Sequence, residues 1–255
     1  MAVMDEFKEE RERMKSQPFK VRFAYFWDYH KFHVLIAAFV LFFVIDLGYS
    51  WLTQKDTAFM AMFINCYADE EKTEAYTTAL TEKMAIDTKE EEIRLDYSVQ
   101  ITGDGTDYET SQLVGVRMAA REVDVMVTDE ATFEGYTKSD AFLDLSQILT
   151  PEQYEYYKDS FYYIDYALIE SGYYDNIDYT ALETTNAPET IDHHSPDGME
   201  KPVPVGIYVD AAESFKEAYR FKSGQDAVFG IIGYVEGEHL ERSLLFLDLM
   251  TGRVE

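Results

Sequence analysis

The sequence is poor in cysteine and in positive charge, and each shortage excludes a class of protein. Cys66 is its one cysteine, so no intrachain disulfide forms and an exported domain would depend on its hydrophobic core for stability. The 22 Lys and Arg residues are outnumbered by 49 Asp and Glu residues, which gives a formal net charge of −27. Such a chain repels nucleic acid and anionic lipid headgroups. We therefore expect no nucleic acid among its partners.

Signature motifs of the common enzyme classes are also missing. The sequence contains no GxSxG, HExxH, GxxxxGK[ST] or GxGxxG pattern, and these mark many hydrolases, zinc proteases and nucleotide-binding proteins. Cys66 lies in an apolar run, where a buried thiol is unreactive. We predict no catalytic residue, no cofactor and no enzymatic activity. A hydrolase of envelope polymers that uses two carboxylates is the remaining catalytic alternative.

Long hydrophobic runs are absent with one exception, which extends from Phe32 to Leu52. These 21 residues form a helix of about 31 Å, the thickness of a bilayer core. The run contains 13 Phe, Val, Leu and Ile residues, each worth about −0.3 to −0.6 kcal/mol on insertion. Together they outweigh the roughly 2.5–3.5 kcal/mol cost of Asp46. The sequence therefore predicts an uncleaved transmembrane helix at residues 32–52.

The charges on either side of this run predict its orientation. Residues 1–31 hold 7 Lys and Arg against 6 Asp and Glu, whereas residues 53–255 hold 15 against 42. Because positive charge stays inside, we expect a cytoplasmic N-terminal segment at 1–31, a single pass through the cell membrane, and an extracellular domain at 53–255. A cleaved signal peptide and a buried helix of a soluble protein are the alternatives. No small-x-small cleavage site follows the run, and buried helices rarely stay apolar on every face for this length.

Strand-like and helix-like segments alternate through the predicted extracellular domain. Apolar or alternating runs predict strands, and capping residues followed by apolar spacings of three and four predict helices. We therefore expect an α/β fold with a mixed or mostly parallel sheet flanked by helices. The predicted strands are residues 58–67, 93–101, 123–127, 161–169, 203–209 and 228–235. The predicted helices begin at Asp69, Thr110, Asp129, Thr150, Asp210 and Gly237, and residues 175–201 are predicted to form a long loop.

Residues 115–149 contain a DV dipeptide at 124–125 and an FLDLS segment at 142–146. Residues 202–250 contain the strand-like runs VPVGIYV and VFGIIGYV and end in a helix-like segment. These two segments resemble extracellular solute-binding proteins of ABC importers, which have a short strand of the form DV, a "flDLs" segment, a late strand, an "fGi" strand and a terminal helix. The resemblance implies one lobe of a periplasmic-binding-protein fold, with ligands at the carboxyl ends of the strands. The family has two lobes, so capture by lobe closure is not implied for this shorter chain.

The candidate binding residues are one carboxylate and several tyrosines. Asp129 follows the predicted strand at 123–127, where it either contacts a ligand or caps the next helix. Nine tyrosines fall between residues 154 and 179, and Tyr combines an apolar ring with a polar tip. Such a group forms a sugar- or peptide-binding surface, or packs on a sheet face with its hydroxyls at the edge. The predicted ligand-binding residues are Asp129, Tyr162, Tyr163, Tyr166 and Tyr208.

Three further polar groups have structural explanations that we favour. Asp124 lies between two valines, which suits a hydrogen-bonded structural carboxylate better than a ligand contact. His193 and His194 lie among acidic residues and could bind a transition metal, but adjacent histidines point apart and a third ligand is not identifiable. The carboxylates of residues 104–109 could bind Ca²⁺, but they lack EF-hand spacing. We therefore predict no metal site.

Two functions fit these observations. The first is a membrane-tethered binding module that captures a small solute, such as a sugar or a peptide, or docks on a transporter. The second is an envelope interaction or scaffold protein with no small-molecule ligand. A cleft with convergent polar groups would favour the first function. A flat, exposed, tyrosine-rich patch would favour the second.

Overall fold

A computed structural model describes residues 17–101, 108–174, 191–221 and 227–254. The chain divides into two compact units, Met1–Gln54 and Lys55–Glu255. Asp104 and Asp107, two of the carboxylates weighed above as Ca²⁺ ligands, lie outside the described residues, as do most of the predicted loop at 175–201 and Tyr179.

The first unit contains one long helix, α1, at Phe19–Thr53. Pro18 precedes the helix, where its fixed φ suits the entry and its carbonyl accepts the amide of Val21 at 3.0 Å. Within α1, His30–Tyr49 is long and apolar enough to cross a membrane. It is the one such helix among the described residues. By length and composition it fits a membrane span, and a signal sequence near an N-terminus fits the same description.

The second unit is built on a six-stranded mixed sheet. Its strands are β1 Asp56–Ile64, β3 Glu91–Val99, β4 Val125–Asp129, β5 Phe161–Asp165, β6 Pro202–Tyr208 and β8 Ala227–Ile231. They lie in the order β3-β1-β4-β8-β6-β5. β1 pairs in parallel with β3 and β4, and the pairs β4–β8, β8–β6 and β6–β5 are antiparallel. The predicted α/β fold with a mixed sheet flanked by helices is confirmed. A separate two-stranded antiparallel sheet joins β2 Cys66–Ala68 to β7 Tyr219–Phe221.

Short helices connect most of these strands, and several begin at the capping residues expected from the sequence. Asp69 and Asp129 each accept a backbone amide of the following helix, and Thr150 forms a capping box with Gln153. Gly252 ends the last helix in the left-handed conformation, with φ of 74°. The helices are α2 Glu70–Lys83, α3 Tyr108–Ala119, α4 Glu130–Thr137, α5 Leu145–Ile148, α6 Pro151–Tyr157, α7 Tyr166–Glu170, α8 Glu213–Ala218 and α9 Gly237–Thr251.

The core lies on both faces of the central strands. From Ala58 onward β1 is buried at every position, as expected for a strand covered on both faces. Phe59 and Phe63 pack against Phe246 of α9, with ring centroids 5.1 and 6.3 Å away. A single hydrophobic cluster therefore holds the sheet and the last helix together.

Three expectations about element boundaries are wrong. The strand predicted at 161–169 ends at Asp165, because the Asp165 carboxylate accepts the amide of Ala167 and starts α7. The strand predicted at 228–235 ends at Ile231, and a turn follows it. The helix predicted to begin at Asp210 instead begins at Glu213, and the residue before it, Ala212, provides no side-chain cap.

Candidate functional site

Asp129 ends β4 and is 4% exposed. Its Oδ1 accepts the amide of Thr132 at 3.1 Å, and its Oδ2 accepts Asn65 Nδ2 at 2.6 Å and Thr132 Oγ1 at 2.9 Å. Asn65 Oδ1 in turn accepts the amide of Ile101 at 2.7 Å. The carboxylate therefore caps α4 and fixes the segments that follow β1 and β3. A ligand contact by Asp129 stays a prediction.

Tyr162 and Tyr208 lie on neighbouring strands, with ring centroids 5.6 Å apart. Tyr162 is 0% exposed, and its hydroxyl has no hydrogen-bond partner among the described residues. Burial raises the pKa of Tyr162 and keeps it protonated. The Tyr208 hydroxyl donates to Glu130 Oε1 at 2.7 Å. These two predicted site residues are therefore brought together, but their rings belong to the packed interior.

His193 and His194 contact these same tyrosines. The His193 ring stacks on Tyr162 at 4.3 Å, and the His194 ring stacks on Tyr208 at 3.9 Å. His193 Nδ1 lies 2.7 Å from the carbonyl oxygen of Tyr163. The described residues contain no group of three His, Cys, Asp or Glu side chains that could hold a metal ion. The two histidines instead fasten the segment before β6 onto the sheet.

Tyr163 and Tyr166 lie toward the other end of β5. Tyr163 is half-buried and pairs with Pro204. Tyr166 is the first residue of α7. Its hydroxyl donates to Asp140 Oδ2 at 3.2 Å, and Lys201 Nζ lies 4.7 Å from its ring centroid. The Asp140 carboxylate raises the pKa of Tyr166 and keeps this hydroxyl a donor.

A cavity of about 460 Å³ opens beside Tyr166. This volume falls within the range of small-molecule sites, roughly 300–1,000 Å³. The cavity lies where β6 begins and β8 has ended. Because β6 runs in the same direction as β4, this edge is opposite the carboxyl ends of β1, β3, β4 and β6. The lining residues are Asp140, Phe142, Leu143, Asp144, Gln147, Ile148, Tyr166, Lys201, Val203, Val205 and Gly233.

The apolar floor of the cavity is held rigidly. Phe142 stacks on Phe133 with centroids 4.2 Å apart, and it bridges to Ile232. The amide of Leu143 donates to the Ile231 carbonyl at 2.9 Å. The segment around Phe142 is therefore fastened to β8 like a short extra strand.

The polar rim is ordered by helix caps and one ion pair. Asp144 accepts the amide of Ser146 at 2.9 Å and Gln147 Nε2 at 2.7 Å at the start of α5. The amide of Lys201 donates to Asp165 Oδ1 at 2.9 Å, and Lys201 Nζ pairs with Glu170 at 2.5 Å. Polar and charged side chains thus border an apolar floor, as in small-molecule sites.

Sequence reasoning identified one cavity residue, Tyr166, as a binding residue. The FLDLS segment at 142–146 supplied only a resemblance, although three of its five residues line the cavity. Lys201 lies in the predicted loop and carried no pattern of its own. Lys201 reaches the cavity because β6 pairs with β5, and the local sequence does not indicate this long-range pairing.

A second polar group joins α9 to the sheet, and Asp124 is the member of it that the sequence identified. Asp124 Oδ2 accepts the amide of Met60 at 2.7 Å, and Asp124 Oδ1 lies 2.9 Å from His239 Nδ1. Burial raises the pKa of Asp124. Arg242 beside it donates to the Ala58 carbonyl at 2.9 Å. Asp124 therefore has the hydrogen-bonded structural role that the sequence favoured.

Comparisons with known proteins place few constraints on this chain. No protein-family model matches it, and no curated protein matches it. Among solved structures, an ABC substrate-binding protein from Listeria monocytogenes in complex with cycloalternan aligns with a TM-score of 0.25 and 13% sequence identity. The alignment covers 47% of this chain and 34% of that protein, so the chain matches about a third of the neighbour's length.

Proposed function

We propose that this protein is a membrane-tethered, extracellular binding module without enzymatic activity, and that it takes a small solute in the cavity beside Tyr166. The observation that carries the proposal is the cavity itself. Its floor is apolar and packed on the sheet, and carboxylates and one ammonium group lie on its rim. This combination is the general signature of a small-molecule site.

Binding rather than catalysis is supported by how the rim carboxylates are used. Asp144 accepts three hydrogen bonds from Ser146 and Gln147 as a helix cap. Asp140 accepts the Tyr166 hydroxyl. A general acid or base must reach the proton that it transfers, and Asp144 is committed to neighbours in its own helix.

The cavity proposal is tested by filling the cavity from Gly233. A Cβ at this position would meet its nearest atom, the Ala141 carbonyl oxygen, at 3.5 Å, which is ordinary contact. Gly233→Leu should therefore fold and occupy part of the cavity. Gly115→Leu is the matched control, because Gly115 is exposed on α3 and a Cβ there meets nothing within 4 Å.

The measurement is thermal unfolding of the full-length protein in detergent, followed by circular dichroism, against sugars, amino acids and short peptides. A ligand at 100 times its Kd stabilises by about 2.7 kcal/mol, which is several degrees in Tm. We expect a shift with one class of solute, its loss in Gly233→Leu and its retention in Gly115→Leu. Absence of any shift would favour the interaction-protein alternative, and a shift unaffected by Gly233→Leu would contradict binding in this cavity.

The tether and its orientation are tested by labelling in intact cells. Cys66 is buried, and burial raises the pKa of its thiol to about 12, so the wild-type protein gives a low background. Glu74 and Lys20 are both exposed. An impermeant maleimide should label Glu74→Cys in intact cells and Lys20→Cys only after permeabilisation. The reverse pattern would contradict the orientation, and loss of residue 20 from the mature protein would show a cleaved signal sequence.

A further inference from the structure

The cavity has room for an apolar group and offers poor stacking for a sugar. Leu143, Ile148 and Val203 are half-buried at its wall, so a bound apolar group would remove their remaining surface from water. The Phe142 ring is 5% exposed and already stacked on Phe133. It therefore presents no free face to a sugar ring. Aliphatic walls of this kind select an aliphatic or aromatic side chain.

The rim carries charges of both signs, and Tyr166 separates them. The Asp140 carboxylate lies at the hydroxyl end of Tyr166, and the Lys201 ammonium lies over its ring. A ligand that pairs with both the carboxylate and the ammonium needs a positive and a negative group several ångströms apart. Two or three extended residues, at roughly 3.3–3.6 Å each, provide that separation between an amino and a carboxyl terminus.

Both charged side chains have capacity for a ligand. Asp140 accepts one hydrogen bond from Tyr166, whereas an ionised carboxylate has about four acceptor sites. Lys201 pairs with Glu170, but both side chains are about half exposed, and such pairs are weak. A ligand carboxylate can therefore share the Lys201 ammonium. The net charge of −27 also disfavours an anionic ligand and tolerates a zwitterion.

From this arrangement we infer that the ligand is a short peptide with free termini and apolar side chains. Its ammonium group lies at Asp140, its carboxylate at Lys201, and its side chains on Leu143, Ile148 and Val203. The inference rests on the proposed function, since it names the class of solute for the same cavity.

The test is equilibrium dialysis of the full-length protein in nanodiscs against Leu-Leu. The comparison probes are N-acetyl-Leu-Leu without the ammonium group, Leu-Leu-amide without the carboxylate, Gly-Gly without apolar side chains, and maltotriose. Leu-Leu should bind, and each comparison probe should bind at least tenfold more weakly, because each loses a charge-assisted contact or the apolar burial.

Two variants test which side chain of the protein contacts each terminus of the peptide. Lys201→Met should abolish the preference for Leu-Leu over its amide, and Asp140→Asn should abolish the preference for the free ammonium group. Lys138→Met is the matched control. Lys138 also pairs with a glutamate, Glu134, and lies over a tyrosine ring, but it does not line the cavity.

The outcomes separate the inference from the proposed function. Binding of maltotriose in preference to Leu-Leu, with loss in Gly233→Leu, would overturn the peptide inference and leave the binding module intact. Equal binding of Leu-Leu, N-acetyl-Leu-Leu and Leu-Leu-amide would also overturn it. Absence of binding by every probe to the wild-type protein would count against the peptide inference, and the broader thermal screen would then decide the proposed function.

Discussion

At the scale of single residues, the buried carboxylates connect elements that are distant in sequence. Asp124 joins β1, β4 and α9, and Asp129 joins the ends of β1 and β4 to α4. Asp248 joins α6 to the end of α9, through Gln153 Nε2 at 3.0 Å and the Tyr157 hydroxyl at 2.8 Å. A buried polar group without such partners would be costly. These carboxylates therefore fix the relative positions of the strands and helices that they join.

Removal of Asp248 should destabilise the protein strongly. It is buried and pairs with Arg253 in addition to its two other donors. Asp248→Ala should cost roughly 3 kcal/mol, because breaking a buried pair leaves polar groups unsatisfied. Asp210→Ala is the control, since Asp210 is fully exposed and its pair with Lys216 should contribute almost nothing. Urea unfolding measures both, and equal costs would contradict this account.

Asp96 should make stability depend on acidic pH. Burial alone would raise its pKa, but hydrogen bonds from Ser98 and the Arg117 ion pair outweigh burial and lower it. A carboxylate whose pKa is lowered on folding contributes stability above its unfolded pKa, and that contribution disappears as the pH falls through the folded pKa. Asp96→Asn should therefore lose stability at pH 7 and show less further loss between pH 5 and pH 2. An unchanged pH profile would contradict the assignment.

At the scale of elements, two glycines in the sheet leave space for aromatic rings to pack against its backbone. A Cβ at Gly230 would lie 2.6 Å from Phe142 Cδ1 and 2.7 Å from Phe133 Cε2. A Cβ at Gly206 would lie 2.8 Å from Phe133 Cζ. The stacked rings that support the cavity floor therefore pack directly on the backbone of β6 and β8.

Gly230→Ala should consequently destabilise the protein by about 1–3 kcal/mol, the usual cost of overpacking a core. Gly115→Ala adds the same methyl group on an exposed helix, where Ala is preferred to Gly, and it should be neutral or slightly stabilising. Thermal unfolding followed by circular dichroism compares the two. A neutral Gly230→Ala would show that the ring pair can move away from the sheet.

The elements with strong local signals were predictable, and those that depend on tertiary contacts were not. The caps at Asp69 and Thr150 act through residues within one turn, so the sequence reports them directly. Asp165 also caps a helix, but tyrosines and isoleucine on both sides favour a strand, and the prediction extended β5 through α7. The cavity joins residues from four separate segments, so no local pattern could reveal it.

At the scale of the whole molecule, the cavity and the predicted ligand edge lie at opposite ends of the sheet. Asp129 and Tyr208 are at the carboxyl ends of β4 and β6, whereas the cavity begins beside Val203 at the start of β6. Three of the five predicted site residues, Asp129, Tyr162 and Tyr208, are packed into the interior. Tyr166 alone of the five lines the cavity, where its hydroxyl donates to Asp140 and its ring contacts the Lys201 ammonium.

The central claim is that this cavity is a binding site, and methyl NMR of the full-length protein in nanodiscs tests it most directly. Leu, Ile and Val methyl groups are labelled, and pooled peptides, amino acids and sugars are titrated. We predict shifts of Leu143, Ile148, Val203 and Val205, which line the cavity, while Val228 in the buried sheet stays unchanged. Saturable shifts confined to other methyl groups, or no shift with any pool, would contradict the claim.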